Sequence, residues 1–165
     1  AKLYGCTVIA TASPEKLDQL KELGADYTVD HRKEDWHKEV FKISKELAKK
    51  KNEAPGIDVI FEHIGGSHFN KELTLLKYGA TMVTTGATTG YDVPADLRHI
   101  FFKGINILGS TQGTRAELED GFYWMGQGKI KVIIDSEYTF ENAVDAHNKM
   151  LNGKGLVGKI ILKPE

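Results

Sequence analysis

The sequence predicts an α/β domain in which a mostly parallel sheet carries helices on both faces. Three observations lead there. Short apolar runs rich in β-formers alternate with segments whose leucines and aromatics recur at helical spacing. The intervening helices run to about ten residues, enough to cross back over a sheet and set the next strand parallel to the last. Glycines and small hydroxylic residues gather just after the apolar runs, at the end where such sheets bind ligands.

Ala1 to Tyr4 have the composition of a last helical turn, and Gly5 sits where a left-handed cap would close it. Such a beginning leads us to expect that the chain is the rear part of a longer protein. Cys6 to Thr11 is short and rich in β-formers, as for a strand buried on both faces. Ser13 resembles an N-cap, with Pro14 at the first helical position and Glu15 near the positive helix end. Leu17, Leu20 and Leu23 form an apolar stripe closed by Gly24, and Asp26 to Asp30 alternates as a second strand. Trp36, Val40, Ile43 and Leu47 mark another amphipathic helix. Its basic end, Lys49 to Lys51, suits the negative end of the dipole and carries no interleaved aromatics of the kind that bind nucleic acid.

Pro55-Gly56 breaks the chain before IDVIFE (57–62), the most strand-like segment. Gly65-Gly66 and a helix with Phe69, Leu73 and Leu76 follow. ATMVTT (80–85) is the next strand, then a polar loop to Pro94, a short helix near 96–103 and the strand INILGS (105–110). A helix after Thr114 is weakened by Gly121, Gly126 and Gly128. KVIID (131–135), a helix around 140–151 and VGKIIL (157–162) complete the alternation.

Composition narrows the partners. Lysines and arginines number 22 against 23 acids, a net charge of −1 that gives no general attraction for nucleic acid or an anionic membrane. Cys6 is the sole cysteine, which excludes an internal disulfide or a cysteine-rich zinc cluster in these residues and suits a reducing cytoplasm. No apolar stretch approaches the ~18 residues of a membrane span. A small molecule is the expected partner.

The candidate site follows from the strand ends: Ser13 to Lys16, His31-Arg32, His63-Ile64-Gly65-Gly66, Gly86 to Gly90 and Gly109 to Gly113. Glycines there let a flat or phosphorylated ligand approach the backbone, and Gly66-Ser67 opens a helix whose amides suit an anion. Gly153 to Gly158 spells G-x-G-x-x-G. It lies between a helix and a strand, the reverse of the order that presents amides to a pyrophosphate, so it is a chance match.

In order and spacing, the segments VIATASPEKLDQLKELGADYTVD, DVIFEHIGG, VTTGATTG, INILGS and GKIILKP resemble the cofactor-binding half of the medium-chain, zinc-type alcohol dehydrogenase and quinone oxidoreductase superfamily. The resemblance covers essentially the whole chain. It implies a Rossmann-like sheet whose first strand and glycine-rich turn would precede Ala1, with a catalytic domain further upstream that would hold any zinc. In the family's strand order 3-2-1-4-5-6, omission of strand one leaves two unpaired edges. The implied domains are a partial NAD(P)-binding domain over 1–130 and a segment over 131–165 that returns to the catalytic domain. Apolar faces of that segment, at Val132, Ile133, Ile160 and Leu162, are then shaped for another surface.

A carboxylate at the tip of the strand ending near Thr11 would grip the ribose of NAD and repel the extra phosphate of NADP. This chain offers Ser13 and Lys16 instead, a hydroxyl and an ammonium that suit a dianion, and His31 and Arg32 add positive charge. NADP(H) is therefore expected in preference to NAD(H). The resemblance also implies cofactor contacts from His63, Ile64, Gly65, Gly86, Ala87, Thr88, Ser110 and Thr111. It has tyrosine where this chain has His31. Glu62, His63 and His68 also invite a metal-ligand interpretation, which we set aside because family zinc ligands lie upstream. No catalytic residue is identified. The implied reaction is hydride transfer to or from a carbonyl, alcohol or activated alkene, with this chain inactive alone. A homodimer or tetramer through the edge strand near 105–110 is implied as well. The alternatives are a dinucleotide-sensing module without chemistry and a structural protein that kept the fold.

Overall fold

The computed structural model describes residues 1–153 and 156–164. Lys154 and Gly155, within the glycine match set aside above, lie outside the described residues, as does Glu165. The chain forms two compact units, one made of Ala1–Thr28 with Gly113–Glu165 and the other of Val29–Gln112.

In the Val29–Gln112 unit, α2 (Trp36–Lys51) precedes β3 (Ile57–Glu62), α3 (His68–Leu75), β4 (Leu76–Thr84), α4 (Leu97–Lys103) and β5 (Asn106–Gly109). Both pairings in the sheet β3-β4-β5 are parallel. Register places Ile60 beside Met82 and Ile107, and Phe61 beside Val83 and Leu108. The first row faces the core, where Leu73, Leu76, Ala80, Met82 and Ile105 are buried and Ile60, Phe69 and Ile100 pack against them. The second row faces the other way and stays open: Val59 is 49%, Phe61 68% and Leu108 53% exposed. Phe69 of α3 and Ile100 of α4 pack on the first face, and the succession of parallel strands and helices is the expected α/β architecture.

α2 forms from its i, i+4 stripe, with Trp36, Val40, Ser44 and Ala48 buried and Ile43 and Leu47 half-buried beside them. Three lysines occupy its last turn, as expected of the dipole. α4 starts at Asp96, whose carboxylate accepts from the Arg98 amide, and ends at Gly104 in the left-handed region. Leu76, expected to finish the preceding helix, instead opens β4, because it pairs with Ile57 across the sheet.

The other unit contains β1 (Ile9–Ala12), α1 (Leu17–Glu22), α5 (Arg115–Gly126), β6 (Ile134–Thr139), α6 (Ala143–Asn152) and β7 (Lys159–Lys163). β1 pairs with β2 (Tyr27–Asp30) in a two-stranded sheet. It is shorter than expected and none of its residues is buried, since a ribbon with a single neighbour cannot enclose a strand on both faces. α5 forms despite its glycines. Thr114 and Glu117 make a reciprocal capping box that satisfies its first amides. β6 lies later than the expected KVIID, from Ile134 onward. Its parallel pairing with β7 sets the register, and Gly158 (φ +101°) lies so close that a Cβ there would sit 2.3 Å from the Ile133 carbonyl oxygen. Val132 is exposed, and Ile133 and Ile160 are half-buried.

Among the described residues the strands make three separate sheets, β1-β2, β3-β4-β5 and β6-β7. No helix in the described residues is long and apolar enough to cross a membrane.

Candidate functional site

The most organised part of the molecule lies beyond the carboxyl ends of β3 and β4. There the two loops 63–66 and 86–90 run side by side, tied through backbone and hydroxyl groups. The Thr85 amide donates to the Glu62 carbonyl at 2.8 Å, extending the sheet past its last paired residues. The His63 carbonyl accepts from the amide (3.2 Å) and hydroxyl (2.9 Å) of Thr88. The Ile64 carbonyl accepts in the same way from Thr89, at 2.8 and 2.9 Å, and the Gly66 amide donates to the Gly90 carbonyl at 3.0 Å. Each threonine thus closes two bonds to one carbonyl, so polar contacts tie the two loops together.

That closeness dictates glycine. Gly65 has φ +69°, and a Cβ there would lie 2.2 Å from the Gly90 carbonyl oxygen; at Gly66 (φ +52°) it would lie 2.5 Å from the Thr89 hydroxyl. Below the loops sits Glu62, buried at the end of β3. Its Oε1 accepts from the amides of Ile64 (2.6 Å) and Gly65 (2.5 Å), and its Oε2 from the Thr84 hydroxyl at 3.1 Å. The sequence signal for this clamp was available: an acid at the last, buried position of an apolar strand needs donors, and the next amides belong to a glycine turn. The sequence reading offers Glu62 only as a metal ligand. Among the described residues no group of three or more histidines, cysteines, aspartates or glutamates is placed to hold a metal ion.

His63, Ile64 and Gly65 are therefore brought against Gly86, Ala87 and Thr88 by direct hydrogen bonding or packing. The His63 side chain is exposed while its backbone carries the contacts. Ser110 joins the same end of the sheet through its amide, which donates to the Thr84 carbonyl at 2.9 Å, and exposed Thr111 follows it. His31 and Arg32 follow β2. The Asp30 carboxylate accepts from the Arg32 amide at 2.9 Å, turning the chain there. The His31 ring meets the edge of His68 at 5.6 Å between centroids, and His68 stacks on Trp36 at 5.2 Å. Burial, and then the neighbouring His31 and Lys71, hold His68 below its ordinary pKa. This ring ladder was not foreseen, because its members come from three separate stretches of sequence.

In the other unit, Ser13 and Lys16 follow β1. Ser13 is buried in an extended conformation, and its carbonyl accepts the Lys16 amide at 3.0 Å, so the helix begins as a tight 3₁₀ turn over Pro14–Lys16. The Ser13 hydroxyl makes no capping bond. As chemistry, the strand ends offer hydroxyls, backbone groups and basic side chains, types of group that suit phosphates and sugar hydroxyls.

Comparison with known proteins fits that chemistry. The chain is 31% identical to the quinone oxidoreductase of Pongo abelii over 98% of its own length and 48% of the relative's. It is 28% identical to the crotonyl-CoA reductase of Streptomyces collinus, covering 96% of this chain and 38% of that protein. Its fold superposes on that of an NAD-dependent alcohol dehydrogenase with a TM-score of 0.86 and 31% identity, over 99% of this chain and 45% of the other. The chain spans about half the length of the quinone oxidoreductase it matches. Residues 1–127 match the family model of the zinc-binding dehydrogenases, and the chain belongs to that family.

Proposed function

We propose that this chain is the cofactor-binding portion of an oxidoreductase that uses NADP(H) in preference to NAD(H) and passes hydride to or from a carbonyl, alcohol or activated alkene. The observation that carries the preference is the pair after β1. Ser13 has a hydroxyl not spent on capping, and Lys16 follows one turn later, where an NAD-preferring site would place a carboxylate. His31 and Arg32, after β2, are further candidate contacts for the cofactor. The glycine-bearing loops 63–66 and 86–88, with Ser110 and Thr111, would take the nicotinamide half. Gly86, Ala87 and Thr88 are exposed, and so small and polar a surface suits a flat ring and a ribose.

The nicotinamide, when bound, supplies the hydride chemistry, and this chain's residues bind and orient it. Substrate selection and any zinc would lie in another part of the protein, so the chain alone is expected to be inactive. The exposed thiol of Cys6 suits a reducing, cytoplasmic setting. The outer edge of β5, whose four residues are all exposed, is our choice for a homodimer contact. A second reading, NAD, is favoured by the likeness to an NAD-dependent alcohol dehydrogenase.

One titration separates the two. With the full-length protein, NADPH should bind at least about tenfold more tightly than NADH, the size of one charge-assisted contact. Lys16→Glu should abolish that margin while leaving NADH affinity in place. Equal or tighter binding of NADH, indifferent to Lys16→Glu, overturns the preference.

A further inference from the structure

Glu62 is an unusual residue for its place. It closes β3 in the row with Thr84 and Gly109, two residues on from Ile60 and therefore on the core face, and is 1% exposed. A carboxylate that has lost its water is tolerated only with donors around it, and here every donor belongs to the root of the loop pair. Oε1 gathers the two amides of the 63–66 loop while Oε2 takes the hydroxyl of the last residue of β4. One side chain thus ties the outgoing loop of one strand to the end of the next.

A second acid is buried close by. Glu72, on α3, is 9% exposed, and its Oε2 has no hydrogen-bond partner. Burial, and then the charge of Glu62, push its carboxyl up to about 7. The groups on the elements packed against α3 do not relieve it. On α3 itself, Lys71 Nζ is committed to the Glu34 carbonyl at 2.8 Å. From α4, Lys103 Nζ caps the carbonyls of Leu73, Thr74 and Leu76. His37 of α2 and His68 of α3 are both driven toward the neutral form, chiefly by burial. From β4, the Thr84 hydroxyl is already engaged by Glu62.

We propose, resting on the cofactor reading above, that Glu62 is the positioning residue of the dinucleotide loop 63–66 and that Glu72 is its proton-holding partner, so that cofactor affinity falls when Glu72 gives up its proton. With Glu72 neutral, Glu62 holds the Ile64 and Gly65 amides unopposed. Raising the pH through about 7 removes the Glu72 proton and sets a second buried negative charge beside the clamp. The pair is then relieved by water entry or by withdrawal of the Glu62 side chain, and either loosens the loop. As the pH falls through that range Glu72 regains its proton and the effect fades.

The test uses the full-length protein and NADPH. Glu62→Ala should weaken NADPH binding roughly tenfold to a hundredfold, the range for hydrogen bonds made to a charged group. Glu62→Gln, whose amide oxygen still accepts and whose NH₂ faces Thr84, should recover most of that loss and serves if the alanine variant does not fold. The ratio of wild-type to Glu72→Gln affinity should fall several-fold between pH 6 and 8.5; the ratio cancels ionisation of the cofactor phosphate and of the histidines. Undiminished binding by Glu62→Ala overturns the positioning role, and a constant ratio overturns the proton-holding role. Amide hydrogen exchange at Ile64 and Gly65 without cofactor provides the second measurement. Protection should be lost in Glu62→Ala and kept in Glu62→Gln, and unchanged protection in the alanine variant overturns the clamp. A wild type that protects these amides yet binds no NADPH sinks the cofactor reading and leaves the clamp standing, so the two failures are distinguishable.

Discussion

The loops beyond β3 and β4 and the turn after β1 occupy equivalent places at the ends of strands, yet they are built in opposite ways. The first pair is over-determined: two threonines each bind one carbonyl twice, a buried carboxylate gathers two amides, and two glycines permit an approach no side chain would tolerate. The second has a proline-led turn closed by one backbone bond and a serine hydroxyl that makes no cap. The contrast suggests a division of labour. On the function proposed above, the part of the cofactor common to the family would meet the rigid loops, whereas the part that distinguishes one cofactor from another would meet side chains that substitution can exchange at little cost to the fold.

That contrast can be broken or sharpened by substitution. The largest effect is expected from Gly65→Ala. A Cβ 2.2 Å from the Gly90 oxygen, at φ +69°, forces the loops apart, and chemical denaturation should show a loss of about 3 kcal/mol or more. A loss under ~1 kcal/mol would mean that the loops are not held as described. Thr89→Ala comes next. It removes the hydroxyl bond to the Ile64 carbonyl and keeps the amide bond, so the expected cost is about 1 kcal/mol in the same measurement. The smallest effect on stability belongs to Ser13→Ala. With no capping bond to lose, the usual cost of about 1 kcal/mol for an N-cap should not appear, and the change should stay within ~0.5 kcal/mol while NADPH binding weakens. A full capping loss at Ser13 would erase the distinction between the two regions.

Much of the fold was legible because its signals are local. Ile57 to Glu62 is a strand as expected, Trp36 begins a helix whose buried stripe follows its apolar spacing, and Gly104 ends α4 in the left-handed conformation only glycine adopts freely. The errors lie where a partner decides. Leu76 has helical spacing with Leu73 but is drawn into β4 by pairing with Ile57; Ile134 to Thr139, not Lys131 to Asp135, is the strand that β7 accepts. The candidate site divides the same way. The 63–66 and 86–88 segments could be singled out from their glycines, but the threonine hydroxyls and the Glu62 carboxylate that join them could not, since each bond spans more than twenty residues or depends on burial. The stacking of His68 between His31 and Trp36 is invisible for the same reason.

By itself the sequence determined the alternation of strands and helices, the chemistry placed at each strand end, and the likeness to a family, because periodicity, capping and turn residues act over a few positions. Tertiary structure alone decided that the strands of the described residues separate into three sheets, that Val59, Phe61 and Leu108 stay exposed, and that two acids ten residues apart, Glu62 and Glu72, are both buried. Those outcomes depend on which surfaces meet and which charges lose their water, and neither is a property of any short stretch of chain.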